Sequence, residues 1–307
     1  MLFSGALGFI GLGIMGQGMA TRLLSEGLAG SSKDAPLVIW NRSQNKCEEF
    51  KARFPEKYIE VKSTAREVVE ACAVTFSMLS TPEASCEVFE REDGVLAGVS
   101  PGKSIVDCAT LSEADMRRME SAVLGRGGRF LEAPVSGSKL PAATGQLIFL
   151  CAGSKDLFEE IAAALAAMGK ASHFFSTEVG FGTRSKLIVN SLMATMLAAF
   201  GEALNLAESV DVDASKIIEV ISQSAIASPV FALKGPKMLS SDHSPNFPLK
   251  HAHKDIALAC DMAKSAGVEF SVIDQAETLF RDARQNEKLN LAELDFSAVF
   301  EEIRESK

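Results

Sequence analysis

Residues 6–24 constrain the fold most tightly. Ala6 to Ile10 is a short apolar run that ends in Gly11-Leu12-Gly13-Ile14-Met15-Gly16, and Met19-Ala20-Thr21-Arg22-Leu23-Leu24 follows at helical spacing. A strand, a glycine turn and a helix in that order give a GxGxxG pattern its meaning. The glycines permit a tight turn and close backbone approach, and the helix N-terminus offers amides to a pyrophosphate. Gly11, Leu12, Gly13, Ile14, Met15 and Gly16 are therefore candidate dinucleotide contacts, and the chain is expected to open as an α/β domain.

The next apolar run, Leu37-Val38-Ile39-Trp40, reads as a second strand and ends in Asn41-Arg42-Ser43. NAD enzymes place an acid here on the ribose hydroxyls. No acid is present, and Arg42 with Asn41 and Ser43 suits a 2′-phosphate, which favours NADP; an ordinary surface arginine is the plain alternative. Val74 to Leu79 reads as a strand ending in Ser80-Thr81-Pro82, and Ser104 to Val106 as another ending in Asp107-Cys108-Ala109-Thr110. Strand C-terminal ends face the ligand crevice in such sheets. Leu79, Ser80 and Thr110 are thus candidate cofactor contacts, each readable equally as a plain loop residue. Further strands are expected within Gly127 to Pro134 and Gly145 to Leu150. Between them Ser136-Gly137-Ser138 offers small side chains and amides to a carboxylate or carbonyl oxygen, and also fits an ordinary turn. Asp156 to Met168 reads as an amphipathic helix, and His173-Phe174-Phe175 as a last strand with His173 in the core.

From about residue 177 the pattern is wholly helical. Val179 to Glu208 starts with Gly180 and Gly182, with Thr183 or Ser185 available as a cap. Leu187, Ile188, Leu192, Met193, Met196, Leu197 and Phe200 then occupy nearly every side, which predicts a buried helix. Lys186 and Asn190 lie four apart on one face. A buried lysine is rare unless paired or used, and burial lowers its pKa toward proton-trading range; a first-turn lysine that snorkels to water is the bland alternative. Ala214 to Ser222, Leu249 to Ala266 and Ser271 to Gln285 read as further helices, with Pro229, Gly235-Pro236 and Ser240 to Pro248 as interruptions. His251 and His253, two apart, cannot share a helix face, which speaks against a metal pair. Lys254 and Asp255 read as a solvated ion pair.

Length fits two domains, expected at 1–176, where strand and helix alternate, and at 177–307, where the pattern is helical. A hydrophobic content of 47% with 23% charged residues is a globular profile. The net charge of -9 and a pI near 5.1 argue against nucleic acid or an anionic membrane as partner. Polar residues inside the long apolar run hold it short of a membrane span. The six cysteines show no CxxC and no ligand spacing with histidine, which suggests reduced thiols and no metal. The start carries no signal-peptide pattern, so the expected compartment is the cytoplasm, or an organelle stroma or matrix if a leader has been removed.

Taken together, the glycine turn, Glu132 to Leu147 (EAPVSGSKLPAATGQL), Gly182 to Asn190 (GTRSKLIVN), Phe247 to Ala257 (FPLKHAHKDIA) and Asp295 to Val299 resemble the β-hydroxyacid dehydrogenase superfamily. Within it they are most similar to the plant-type NADPH-dependent glyoxylate/succinic semialdehyde reductases. The resemblance covers nearly the whole chain and implies a Rossmann-like, mostly parallel sheet domain and an all-α domain joined by the long helix, with the active site in the cleft between them. It implies that Lys186 is the catalytic lysine and Asn190 its helix-mate near the substrate. Ser136 and Gly137 match the substrate loop, Thr110 and Lys254 match cofactor contacts, and Phe247 and Asp255 match C-terminal residues near the site. The implied reaction is reduction of a small aldehyde acid by NADPH, in a homodimer or homotetramer. The alternatives are oxidation of a β-hydroxy acid, as in 3-hydroxyisobutyrate dehydrogenase, and a non-catalytic cofactor-binding module. Two departures stand out: a longer loop at Gly27 to Pro36, and Phe181 where a small or amide residue is usual.

Overall fold

The computed structural model describes residues 5–305 and divides into two compact units, 1–186 and 187–307. The first unit is built on β1 (Leu7–Ile10), β2 (Leu37–Trp40), β3 (Ile59–Val61), β4 (Val74–Ser77), β5 (Ser104–Asp107), β6 (Arg129–Glu132), β7 (Val135–Ser136), β8 (Leu147–Gly153) and β9 (Gly169–Ser176). Among the described residues these form one sheet in the order β3-β2-β1-β4-β5-β6-β8-β7, with β9 beside β8. The strands β1 to β6 pair in parallel, β8 runs antiparallel to β6 and β7, and β9 is parallel to β8.

Every residue of β1, β2, β4 and β5 is buried, because helices cover both faces of the sheet. Alternate side chains feed two separate cores. Phe9, Leu37, Ile39, Phe76 and Val106 pack on one face. Ile10, Val38, Trp40, Ile105 and Phe130 pack on the other. The strand order reverses between β1 and β4, and a crevice at that reversal is where such sheets take ligands.

The second unit is helical. Helices Ala214–Gln223, Pro229–Leu239, Leu249–Ser265, Val272–Gln285 and Val299–Glu305 enclose a core that includes Leu197, Phe200, Leu204, Met238, Ile256, Phe280, Phe296 and Phe300. The long helix, Phe181–Ser209, has 29 residues and straddles the division between the units.

Several sequence expectations need correction. The helix expected at 156–168 is two helices, Lys155–Glu160 and Ala162–Met168, broken at Ile161. Pro229 does not interrupt a helix but begins one, at a position where its missing N–H costs nothing, and Pro236 lies inside that same helix. His173 is exposed, because among the described residues β9 pairs with β8 alone and has no second neighbour to cover it. The long helix is not buried all round: Ile188, Leu192 and Leu206 are 60%, 57% and 63% exposed. By length and hydropathy it does reach a membrane span, with mean hydropathy 1.6 over 18 residues, yet half of that window is buried within the protein, as in a core helix.

Candidate active site

The glycine turn shows why each glycine stands where it does. Gly11 has φ +96°, and a Cβ there would lie 2.4 Å from the Met78 carbonyl oxygen. A Cβ on Gly16 would lie 1.9 Å from the Gly11 carbonyl oxygen. These two close the turn. Gly13 differs, since a Cβ there would meet nothing within 4 Å. The backbone at Gly13 thus borders open space at the start of a helix, the cradle a dinucleotide diphosphate requires.

Around that space lies a cavity of about 160 Å³ whose walls include Gly11, Gly13, Asn41, Arg42, Ser43, Leu79 and Ser80. Six other residues expected to touch the cofactor, Leu12, Ile14, Met15, Gly16, Thr110 and Lys254, are not in its wall. Leu12 is fully buried, Ile14 is 43% exposed, Met15 precedes the following helix and Gly16 begins it. Asn41 ties β2 to the turn: its Oδ1 accepts from the Leu12 N–H at 3.0 Å, and its Nδ2 donates to the Ser43 carbonyl at 3.0 Å. Arg42 lies 3.6 Å from Glu87, both largely exposed. Such a pair is weak and readily exchanged for a better anion. Lys46 also lines the cavity, from the first turn of the helix that begins at Gln44.

Thr110 follows β5 across Ala109, whose N–H donates to the Asp107 carboxylate at 2.7 Å. Asp107 also accepts from the Ser77 hydroxyl at 3.2 Å, and burial pushes its carboxyl up to about 6. Ser136 ends β7, Gly137 has φ +138°, and Ser138 precedes the short helix Lys139–Ala143. A left-handed Gly137 is what brings two small side chains and their amides to one half-exposed turn.

Neither Thr183 nor Ser185 caps the long helix. Ser185 donates back to the Phe181 carbonyl, and Thr183 is itself a donor. The cap comes from Glu132 at the end of β6. Its Oε1 accepts from the Gly180 and Gly182 N–H groups at 2.6 and 2.9 Å. Its Oε2 accepts from the Thr183 N–H at 3.2 Å and the Thr183 hydroxyl at 2.6 Å. Burial raises this carboxyl above its ordinary range against the pull of those donors. Lys186 follows one turn later and is 5% exposed.

In the second unit Asn190 is 4% exposed and donates from Nδ2 to Asp255 Oδ2 at 2.7 Å. Asp255 is not part of a solvated pair: it is 3% exposed, and Lys254 Nζ lies 2.9 Å from its other oxygen. That second contact is an ion pair outside directed hydrogen-bond geometry. The Phe247 N–H donates to Asp295 Oδ2 at 3.2 Å, and its ring meets Phe296 edge-on at 5.4 Å. His243 joins Ser297 (3.0 Å) and Glu301 (2.8 Å) in the order of a hydrolase triad. Ser297 is 0% exposed, so no substrate reaches it, and the chain of bonds is a structural tie.

With this geometry in place the comparisons are decisive. Residues 6–180 match the family described as the NAD binding domain of 6-phosphogluconate dehydrogenase. Residues 180–303 match the family described as NAD-binding of NADP-dependent 3-hydroxyisobutyrate dehydrogenase. The chain is 40% identical over 302 residues to glyoxylate/succinic semialdehyde reductase 2, chloroplastic, of Arabidopsis thaliana, covering 98% of this chain and 80% of that protein. It is 40% identical over 301 residues to Arabidopsis glyoxylate/succinic semialdehyde reductase 1, covering 98% and 99%. The chain belongs to the β-hydroxyacid dehydrogenase superfamily. Its fold matches the crystal structure of 3-hydroxyisobutyrate dehydrogenase from Salmonella typhimurium with a TM-score of 0.85 at 24% identity, covering 97% and 99% of the two chains.

As a β-hydroxyacid dehydrogenase it is an oxidoreductase acting on a CH–OH group with a nicotinamide dinucleotide, and the open cradle at Gly13 fits that cofactor. Sequence reading missed Lys46 and Glu132. The first left a signal, a second cation in the first turn of the helix that begins at Gln44, just after Arg42. The second left none nearby, since its donors lie 48 to 51 residues away.

Proposed function

We propose that this chain is an NADPH-dependent reductase of small aldehyde acids, converting glyoxylate to glycolate and succinic semialdehyde to 4-hydroxybutyrate. Residues 1–176 act as the cofactor domain and 177–307 as the substrate and oligomerisation domain. The observation that carries the reading is Lys186, a 5% exposed lysine on one helix face with Asn190, which is itself held by Asp255. The named activity of the two Arabidopsis relatives supports the substrate class. The absence of an acid after β2, with Arg42 and Lys46 in one cavity wall, supports NADPH over NADH.

Bound NADPH supplies the hydride. Gly11, Gly13, Ser43, Leu79, Ser80 and Thr110 hold it, with Lys254 as a further contact, and Arg42 and Lys46 meet its 2′-phosphate. Ser136 and the amides of Gly137 and Ser138 grip the substrate carboxylate, and Phe247 bounds the substrate. The Lys186 ammonium stabilises negative charge growing on the carbonyl oxygen and gives it a proton. Asn190 orients the substrate, and Asp255 fixes Asn190. The exposed apolar residues Ile188, Leu192 and Leu206 along one helix support a homodimer or homotetramer. A cytoplasmic or organellar setting fits relatives of which one is named chloroplastic.

The test is an initial-rate panel of glyoxylate, succinic semialdehyde and methylmalonate semialdehyde with NADPH and NADH, run beside Lys186→Ala. Turnover of the first two with NADPH is expected, and loss of the lysine lowers it by a factor on the order of 10² or more. NADPH binding, followed by fluorescence, stays intact. Lys186→Arg rescues little, because a guanidinium does not release its proton near neutral pH. Near wild-type turnover in folded Lys186→Ala would remove the assignment.

A further inference from the structure

We propose that Glu132 is a positioning residue for this reaction: its buried carboxylate fixes the first turn of the long helix and through it the place of the Lys186 ammonium. The inference rests on Lys186 as proton donor.

The first N–H groups of any helix lack intrahelical partners. A side chain just before the helix usually meets them. Here the residue before Phe181 is Gly180, with φ +112° and no side chain to offer. One carboxylate from another part of the sheet replaces the local cap and accepts four bonds, from Gly180, Gly182 and both donors of Thr183. Glu132 is 0% exposed and Thr183 1%, so no water substitutes for either. Gly182 closes the arrangement from the other side. A Cβ there would lie 2.3 Å from the Leu150 carbonyl oxygen and 3.2 Å from Glu132. The helix start therefore sits directly on the end of β6 and the middle of β8, with its donors bound to the acid beneath it.

Lys186 is three residues beyond Thr183, one turn along the same side of the helix. A tilt of that first turn carries the ammonium with it. Displacement of a reacting group by about 1 Å can cost on the order of 10²-fold in rate. A second acid also holds this turn. Glu113 takes Arg184 through two bonds of 2.6 Å each, but the pair is 26% and 39% exposed, and water can stand in for either partner. The two anchors therefore differ in kind, and the exposed one serves as an internal control.

Glu132→Gln keeps the shape and turns one acceptor into a donor facing the Thr183 N–H. In the full chain, with NADPH and glyoxylate as probes, kcat is expected to fall about tenfold or more while KM for NADPH stays within about twofold. Placed on Lys186→Ala, the same substitution should lower kcat no further, because a residue that acts only through Lys186 has nothing left to act on. Glu113→Gln should keep kcat within about twofold. The proposal is overturned by an unchanged kcat in folded Glu132→Gln, by an equal loss in Glu113→Gln, or by a multiplicative loss in the Lys186→Ala background. If Glu132→Gln does not fold, Thr183→Val decides. It removes the 2.6 Å hydroxyl contact and is expected to lower kcat several-fold with the same non-additivity, whereas an unchanged kcat overturns the proposal. Retained turnover in Lys186→Ala is a separate result: it removes the proton-donor reading itself, whatever Glu132 does.

Discussion

Asp107 closes β5 in the sheet unit, Asp295 opens the short 3-10 turn Phe296–Ala298 in the helical unit, and each is 0% exposed. Their carboxyls are driven in opposite directions. Among the described residues the donors to Asp107 are neutral, Ser77 and Ala109, and the carboxylate of Glu132 stands opposite it in the strand register. Burial, helped by that neighbouring charge, outweighs the two bonds and pushes it up to about 6. At Asp295 burial also pushes upward, but Lys234 at 2.7 and 2.8 Å and the N–H groups of Asn246, Phe247 and Ser297 outweigh it, and the carboxyl is held below its ordinary range. Equal burial thus gives opposite protonation behaviour, and a dedicated cation makes the difference.

The strongest way to break this contrast is to remove the cation. Lys234 is 2% exposed, and Lys234→Met leaves the Asp295 carboxylate buried without its counter-charge. A loss of about 3–5 kcal/mol is expected in denaturant unfolding of the full chain followed by far-UV circular dichroism. The single tryptophan, Trp40, lies in β2 and reports on the sheet unit, so its fluorescence transition gives an independent reading. A change below about 1 kcal/mol would show that Asp295 is held by its amides alone, with Lys234 incidental.

A smaller effect separates the two acids by pH. The folded Asp107 keeps its proton to about 6, while the unfolded chain releases it near 3.8. Its contribution is therefore fully present at low pH and is lost as pH rises through that window, on the order of 2–3 kcal/mol in all. Asp295 has the opposite sign, because its folded pKa is depressed. Its contribution is present above the ordinary aspartate value and is lost as pH falls through the folded one. Asp107→Asn still accepts from the Ala109 N–H, so it should remove the decline between about pH 4 and 6 and be at least as stable as wild type near pH 7. The difference includes whatever charge Asp107 imposes on Glu132. Identical slopes for variant and wild type in Trp40 fluorescence melts would sink the assignment.

How far the sequence discloses this molecule depends on the range of its interactions. Leu37 to Trp40 reads as a strand because a central parallel strand is buried on both faces and so appears as an unbroken apolar run. The cavity at Gly11, Gly13, Arg42 and Ser80 is legible because a turn and strand ends impose local rules on glycine and on position. Glu132, Asp255 and Asp295 are not legible from local pattern. They meet Gly180, Asn190 and Lys234 across 48 to 65 residues, and an acid beside an apolar run looks the same whether it faces water, a helix end or a lysine. The long helix misled in a related way. Apolar residues all round predict burial, yet spacing alone does not say whether a face such as Ile188 and Leu192 meets this chain's core or remains open. Pro229 misled through chemistry, since the same missing N–H that breaks a helix interior is harmless at its first residue.

The smallest predicted effect sharpens the comparison by moving a charge pair of similar chemistry to the surface of the same unit. Arg304 donates to both oxygens of Glu208 at 3.1 and 2.5 Å, and its guanidinium lies 4.3 Å from the Phe300 ring. The side chains are 29% and 32% exposed, so water solvates whichever charge loses its partner. Removing one partner there should cost at most about 1 kcal/mol, well below the buried pair at Lys234, even though the hydrogen-bond geometry is as good. Arg304→Met is the suitable change, because an unbranched stem still covers Phe300 and isolates the charge. The residual cost should shrink further as salt rises from low to physiological ionic strength, which a buried pair resists. A loss of about 3 kcal/mol or more, insensitive to salt, would show that geometry rather than desolvation ranks the charge pairs of this unit, and the contrast drawn from Asp107 and Asp295 would then need another cause.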